Sequence, residues 1–240
     1  MRAAAAAASF LTTLPSRRLV EAADIGRSGP AFPLVGAALG LCVGSSAVAL
    51  ADAFPPLITA GAALLVAAVL TGGIHLDALA DSADALGATS PEAALRAMHD
   101  PNTGAFGTAA VALLLLIEGG ALAELAHRGS LAPVVAAFAL SRAVAPALAC
   151  ALPRARSGPT LAAPLIDAHR GRAVAAVALG TAIAVACGLP SALWLVLTAT
   201  AVWAAALAIS KRRFGGATGD ALGAAVILTE SACLAVATAG

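Results

Sequence analysis

The sequence predicts an all-α, polytopic integral membrane protein: a helical bundle of about seven transmembrane helices, preceded by an N-terminal interfacial or partly inserted helix. Three observations carry that reading. Of the 240 residues, 60% are hydrophobic and only 11% charged, less than half the charge of an ordinary soluble domain, and the mean hydropathy is +0.94. Apolar runs of about 20 residues, the length that crosses a bilayer, recur near 31–52, 56–75, 104–126, 131–152, 173–189, 191–210 and 220–239. Threaded through seven spans, 12 of the 14 basic residues fall on one side: Arg2, Arg17, Arg18, Arg27, Arg96, Arg154, Arg156, Arg170, Arg172, Lys211, Arg212 and Arg213. Arg128 falls opposite and Arg142 lies inside a span. Such a bias marks the cytoplasmic side, so the expected location is the bacterial inner (cytoplasmic) membrane with its working face toward the cytosol.

Each element has its own signature. The Ala-rich start, 1–15, shows no clear cleavage site, which favours an interfacial helix over a signal peptide. Gly36, Gly40 and Gly44 in the first span form two small-xxx-small steps, a pattern that lets helix backbones approach closely in lipid. Phe54-Pro55-Pro56, Gly129 to Pro133, Pro153 to Pro164 and Gly188-Leu189-Pro190 punctuate the later spans. The fifth run is the shortest, and Pro190 blurs its boundary with the sixth. Cys42, Cys150, Cys187 and Cys233 sit in separate apolar stretches and read as small buried hydrophobes. No basic patch with interleaved aromatics exists, which argues against nucleic acid. A single membrane-embedded domain over 1–240 is expected, with loops 76–103, 153–172 and 211–219 forming the active face.

The most informative stretch runs from Gly72 to Gly87. Asp77, Asp81 and Asp84 are spaced i, i+4 and i+7, one face of a helix. Like charges so placed repel by roughly 0.2–0.5 kcal/mol per pair, and near lipid the cost rises unless a partner or cation compensates. The bland alternatives are a solvated helix face or carboxylates that cap a helix start. A divalent cation held on oxygen ligands, Mg²⁺, is the simplest partner. His75 lies nearly opposite Asp77 on the wheel and is the weaker ligand, though able to donate to substrate. Asp100 closes the same loop, as an α-helix N-cap or a fourth ligand, with Asn102 and Gly104 beside it. Lys211-Arg212-Arg213 precedes a glycine-rich turn, Gly215-Gly216-Ala217-Thr218-Gly219-Asp220, of the kind that offers backbone N–H groups to phosphate at a helix start. It is no Walker A motif, so an ATPase is not indicated. Arg142, Glu118 and Glu230 are intramembrane ionisable groups. Arg142 either pairs with a glutamate or reaches a substrate phosphate as a bidentate donor.

Together these pieces resemble the cobalamin synthase family, the adenosylcobinamide-GDP ribazoletransferases. The matching blocks are Phe10-Leu11-Thr12-Thr13-Leu14-Pro15, Phe32-Pro33-Leu34-Val35-Gly36, Thr71 through Asp84, Met98-His99-Asp100 through Gly107, and Gly215 through Ala224 with Glu230. They span nearly the whole chain. The resemblance implies transfer of the adenosylcobinamide phosphate of adenosylcobinamide-GDP to α-ribazole or its 5′-phosphate, with release of GMP, assisted by Mg²⁺. It implies Asp77, Asp81, Asp84 and Asp100 as metal ligands, and Asp77, Asp81 and His75 as catalytic groups. Substrate contacts are then expected at Arg142, Arg213, Gly216, Thr218, Gly219, Asp220, Asn102 and Gly104. Three positions depart from the family pattern: Asn102 where a basic residue is common, Glu118 where lysine is, and Ala78 where a glycine follows the first aspartate.

Other classes fit less of the sequence. A CDP-alcohol phosphotransferase would add an Ala-Arg between two acidic pairs, and an aromatic prenyltransferase a second Asp-rich motif. An ion-coupled transporter would use Arg142, Glu118 and Glu230 but leave the aspartate stripe without a role. Membrane lipid is an expected partner, and a homo-oligomer stays open.

Overall fold

The structure, a computed structural model, describes residues 2–14, 21–188 and 190–239. Pro15, Arg17 and Arg18, which entered the sequence reading, lie outside the described residues. The helices are α1 (Arg2–Leu11), α2 (Ala22–Ser28), α3 (Phe32–Ala51), α4 (Pro56–Thr71), α5 (Ile74–Leu86), α6 (Pro91–Ala97), α7 (Ala105–His127), α8 (Leu131–Ala149), α9 (Ala163–Ile166), α10 (Arg170–Ala186), α11 (Ala192–Ile209) and α12 (Gly219–Thr238). A short turn, Gly29–Ala31, runs α2 into α3, and a wide turn, Ser210–Phe214, closes α11.

Five of the described segments are long and apolar enough to cross a membrane, or six when α4 and α5 count as one broken span. That is fewer than the seven runs read from the sequence. The run near 173–189 becomes α10, a helix of 17 residues. At 1.5 Å per residue it measures about 25 Å, short of a hydrocarbon core of about 30 Å. It serves as a packing element: Ala173, Ala176, Gly180 and Ala184 line its buried edge, and a Cβ on Gly180 would sit 3.0 Å from that of Ala143 in α8.

The centre of the bundle is α8, where every residue from Ala136 to Pro146 is buried. Against it lies α3, and here the small-xxx-small steps act as their spacing suggests. A Cβ on Gly40 would stand 2.9 Å from both Phe138 Cβ and Val134 O, and one on Gly36 would clash with the Phe138 carbonyl. Leu57, Leu65, Leu116, Leu193 and Trp194 remain exposed, an apolar exterior suited to lipid rather than water. Of the cysteines, Cys233 is buried and Cys42 exposed, so only part of that expectation holds.

One backbone feature positions the site. Gly72 and Gly73 have φ of 65° and 70°, a left-handed conformation that glycine alone adopts freely. Their N–H groups both bond the Ala68 carbonyl, the latter at 3.0 Å, ending α4 in a glycine-capped turn. α5 then leaves at 91° to α4. The end of α1 pins this corner. Thr13 donates its N–H to the Leu70 carbonyl at 2.9 Å and its hydroxyl to that of Val69 at 3.1 Å, so carbonyls stranded at the end of α4 find partners far away in sequence.

Candidate functional site

The glycine corner, the end of α1, the start of α12 and the loop between α8 and α9 surround a cavity of about 540 Å³. Its polar lining includes Thr71, His75, Asp77, His99, Arg154, Arg156, Thr160, Thr218 and Asp220, and its apolar wall includes Phe10, Phe32, Leu165, Ile166 and Val226.

The aspartate stripe does not act as one unit. Asp77 faces the cavity. Asp81, one turn on, is half-buried and sits in the combined field of Asp77, Asp220 and Asp84. Asp84 turns to the start of α7, where it accepts the Gly104 N–H at 2.7 Å and the Gly107 N–H at 2.9 Å. A carboxylate there satisfies two orphan donors and complements the positive end of the helix. A Cβ on Gly104 would lie 2.5 Å from an Asp84 oxygen, so that glycine makes room for the cap. Asp100 accepts from Asn102 twice, from the backbone N–H at 2.9 Å and from Nδ2 at 2.8 Å. These bonds hold its carboxyl below the usual carboxylate range. Asp81, Asp84, Asp100, Asn102 and Gly104 do not line the cavity.

The second motif divides likewise. Thr218 caps α12, accepting the Ala221 N–H at 3.0 Å, and together with Gly219 and Asp220 it lines the cavity. Gly216 has a packing role. Ala217 donates to the Pro153 carbonyl at 2.8 Å and Ala155 to that of Ala217 at 3.0 Å, a two-bond parallel bridge between Arg154 and Ala217. A Cβ on Gly216 would lie 2.5 Å from the Pro153 carbonyl oxygen. Arg213 donates to the Leu86 and Ala88 carbonyls, tying the turn after α11 to the end of α5.

Arg142 lies apart from the cavity. It is 1% exposed and pairs with Glu230, equally buried. Its Nη1 also donates to Ser141 Oγ at 2.8 Å, and its guanidinium lies 4.7 Å from the Phe138 ring centroid. Glu118 joins this cluster around an inner void of about 20 Å³ that His75 also borders. His75 therefore stands between the two sites, and its Nδ1 is buried without a hydrogen-bond partner.

Sequence reasoning passed over Arg154 and Arg156 as topological charges and did not single out His99 or Thr160. The available signal was an Arg-x-Arg pair inside a Pro-rich loop. At extended geometry, residues i and i+2 face the same way, as the bridge to Ala217 makes them do.

Among the described residues no three His, Cys, Asp or Glu side chains converge tightly enough to enclose a metal. The donors on the cavity nonetheless suit Mg²⁺. Asp77 and Asp220 share one cavity and feel each other's charge. Mg²⁺ commonly takes one or two carboxylates and completes its shell with substrate phosphate and water.

A family model described as cobalamin-5-phosphate synthase matches residues 3–238. The chain belongs to that family. Its relatives include a protein named adenosylcobinamide-GDP ribazoletransferase from Syntrophobacter fumaroxidans, 38% identical over 95% of this chain and 97% of the relative. Another of the same name, from Pseudomonas paraeruginosa, is 36% identical over 95% of this chain and 94% of its own. A third, from Chlorobaculum parvum, is 38% identical over 86% of this chain and 83% of its own. No solved structure matches the chain. Several of the blocks of sequence that carry the family resemblance contribute to the cavity: the end of α1, the glycine corner with α5, and the start of α12.

Proposed function

We propose that this protein transfers the adenosylcobinamide phosphate of adenosylcobinamide-GDP to α-ribazole or its 5′-phosphate, releasing GMP. The observation that carries the reading is the convergence of Asp77, Asp220, His75 and Thr218 on one cavity, in a chain aligned to the ribazoletransferases over nearly its whole length.

In the reaction a ribose hydroxyl attacks the phosphorus on the cobinamide side of the anhydride. One P–O bond forms, the bond to the GMP oxygen breaks, and the hydroxyl proton passes to a base. Asp77 and Asp220 would hold Mg²⁺, with Asp81 supporting them through its charge. When bound, the ion supplies charge neutralisation on the diphosphate. His75, buried among α4, α7, α8 and α12 and free of a hydrogen-bond partner at Nδ1, would take the hydroxyl proton, with His99 the second imidazole on the same cavity. Thr218 and the N–H groups at the start of α12 face the same space and favour anionic oxygens there. The apolar wall of Phe10, Phe32, Leu165 and Ile166 excludes water from the reacting centre.

The cavity end would face the cytoplasm. Arg154 and Arg156 line it, Arg213 and the α5–α6 connection lie against each other, and Arg128 sits at the other end of α7. A cytoplasmic excess of basic residues in bacterial inner-membrane proteins supports that orientation.

The test uses purified full-length protein with adenosylcobinamide-GDP, α-ribazole and Mg²⁺. Release of GMP together with a new corrinoid is expected. A well-folded preparation giving neither would overturn the assignment.

A further inference from the structure

The loop between α8 and α9 carries a pair of cations to which the proposed chemistry gives no role. Arg154 and Arg156 both line the cavity. The bridge between Arg154 and Ala217 fixes their backbone, and that same bridge holds the turn that presents Thr218 and Gly219. The two arginines differ in how their charge is met. Arg154 pairs with Asp167, so much of its charge is answered within the protein. Arg156 donates to the Leu95 carbonyl, a neutral acceptor, and among the described residues it enters no ion pair. It lies within electrostatic reach of Asp220. A half-buried guanidinium held against a neutral carbonyl, beside a cavity, keeps its charge and several N–H donors for an incoming anion. Guanidinium offers phosphate a planar, bidentate match.

We infer that Arg156, assisted by Arg154 and the α12 N-terminal turn, is a phosphate clamp that takes the phosphoryl oxygens of the guanosine diphosphate end of the substrate. The clamp and Asp77 belong to different elements, the α8–α9 loop and α5, that line the same cavity. This rests on the proposed transferase reading. Phosphate could also arrive as the 5′-phosphate of the nucleophile, and the experiment separates the two sources.

Arg156→Gln keeps a polar amide on a shorter stem while removing the charge. With α-ribazole 5′-phosphate as nucleophile, the variant should raise KM for adenosylcobinamide-GDP at least tenfold. KM for the nucleophile should stay within twofold, and the concentration of free GDP needed for half-inhibition should rise in parallel. Arg154→Gln should show the same pattern at two- to fourfold. An unchanged KM for the GDP substrate overturns the clamp. A rise confined to α-ribazole 5′-phosphate overturns the leaving-group assignment and gives the arginines to the nucleophile. A second measurement uses the unmutated protein and does not depend on variant folding. Phenylglyoxal modification mapped by mass spectrometry should show Arg156 protected by GDP with Mg²⁺, while Arg212 is not. Equal modification with and without an inhibiting concentration of GDP refutes the proposal. If the wild-type protein releases no GMP yet GDP still protects Arg156, the transferase reading fails while the phosphate site stands.

Discussion

Two clusters of charge lie on either side of His75, and they are built on opposite principles. In the interior, Arg142 and Glu230 pair at 1% exposure and Ser141 and the Phe138 ring add to the cation, while Glu118 borders the same void with its Oε2 unpartnered. At the cavity, Asp77, Asp220, His99 and Arg156 line one space of about 540 Å³ without any ion pair among them. Charge buried in a low-dielectric bundle must be answered within the protein. Charge left unanswered around a cavity is available to a substrate. On the proposed reading the Arg142–Glu230 pair is structural and the cavity cluster does the chemistry, although both looked like candidate sites in the sequence.

The comparison can be broken from either side. The largest effect should come from Glu230→Gln, which strands a buried guanidinium and should cost about 3–5 kcal/mol of stability, read as a lowered melting temperature in detergent. An unchanged melting point would remove the structural role. Asp77→Asn should leave melting unaltered and cut GMP release by at least about 10²-fold, the scale set by losing one group that stabilises developing charge. Asp84→Asn weakens the cap of α7 and should cost about 1–2 kcal/mol, with turnover retained to within about tenfold; a silent but stable variant would return Asp84 to the site. The smallest effect belongs to Asp100. Its carboxyl is held below its usual range by the two bonds from Asn102. Whatever stability this adds is therefore present above the ordinary carboxylate range and lost as pH falls through the lowered value. Asp100→Asn should alter GMP release by less than about twofold and flatten that acid-side loss, as followed by melting between neutral and acid pH.

Much of this was legible in the chain. The close α3–α8 contact follows from Gly36 and Gly40, because a missing Cβ at helical spacing has one obvious use in lipid. The importance of the Gly72–Asp84 stretch was equally clear from its three carboxylates. What helical spacing could not show is where each carboxylate points once Gly72 and Gly73 turn α5 through 91°. The three then spread among the cavity, its margin and the start of α7. Nor could spacing bring Asp220 beside Asp77, or Arg156 into view, since both depend on tertiary contacts made by residues distant in the chain. Gly216 shows the same limit. Its glycine-rich context suggested a phosphate loop, but the close pass of the Pro153 carbonyl explains the missing side chain. The span count differed for a simpler reason: α10 is apolar but too short, and it packs along α8.

The placement of Asp77 and Asp220 on one cavity is the centre of this account, and Asp220→Asn tests it most directly. GMP release should be followed as a function of Mg²⁺ concentration, beside the wild-type protein and Asp84→Asn. The Asp220 variant should keep its melting temperature and need at least about tenfold more Mg²⁺ for half-maximal rate, as expected for losing one of two carboxylate ligands. An unchanged Mg²⁺ requirement in Asp220→Asn, with a raised one in Asp84→Asn, would contradict it.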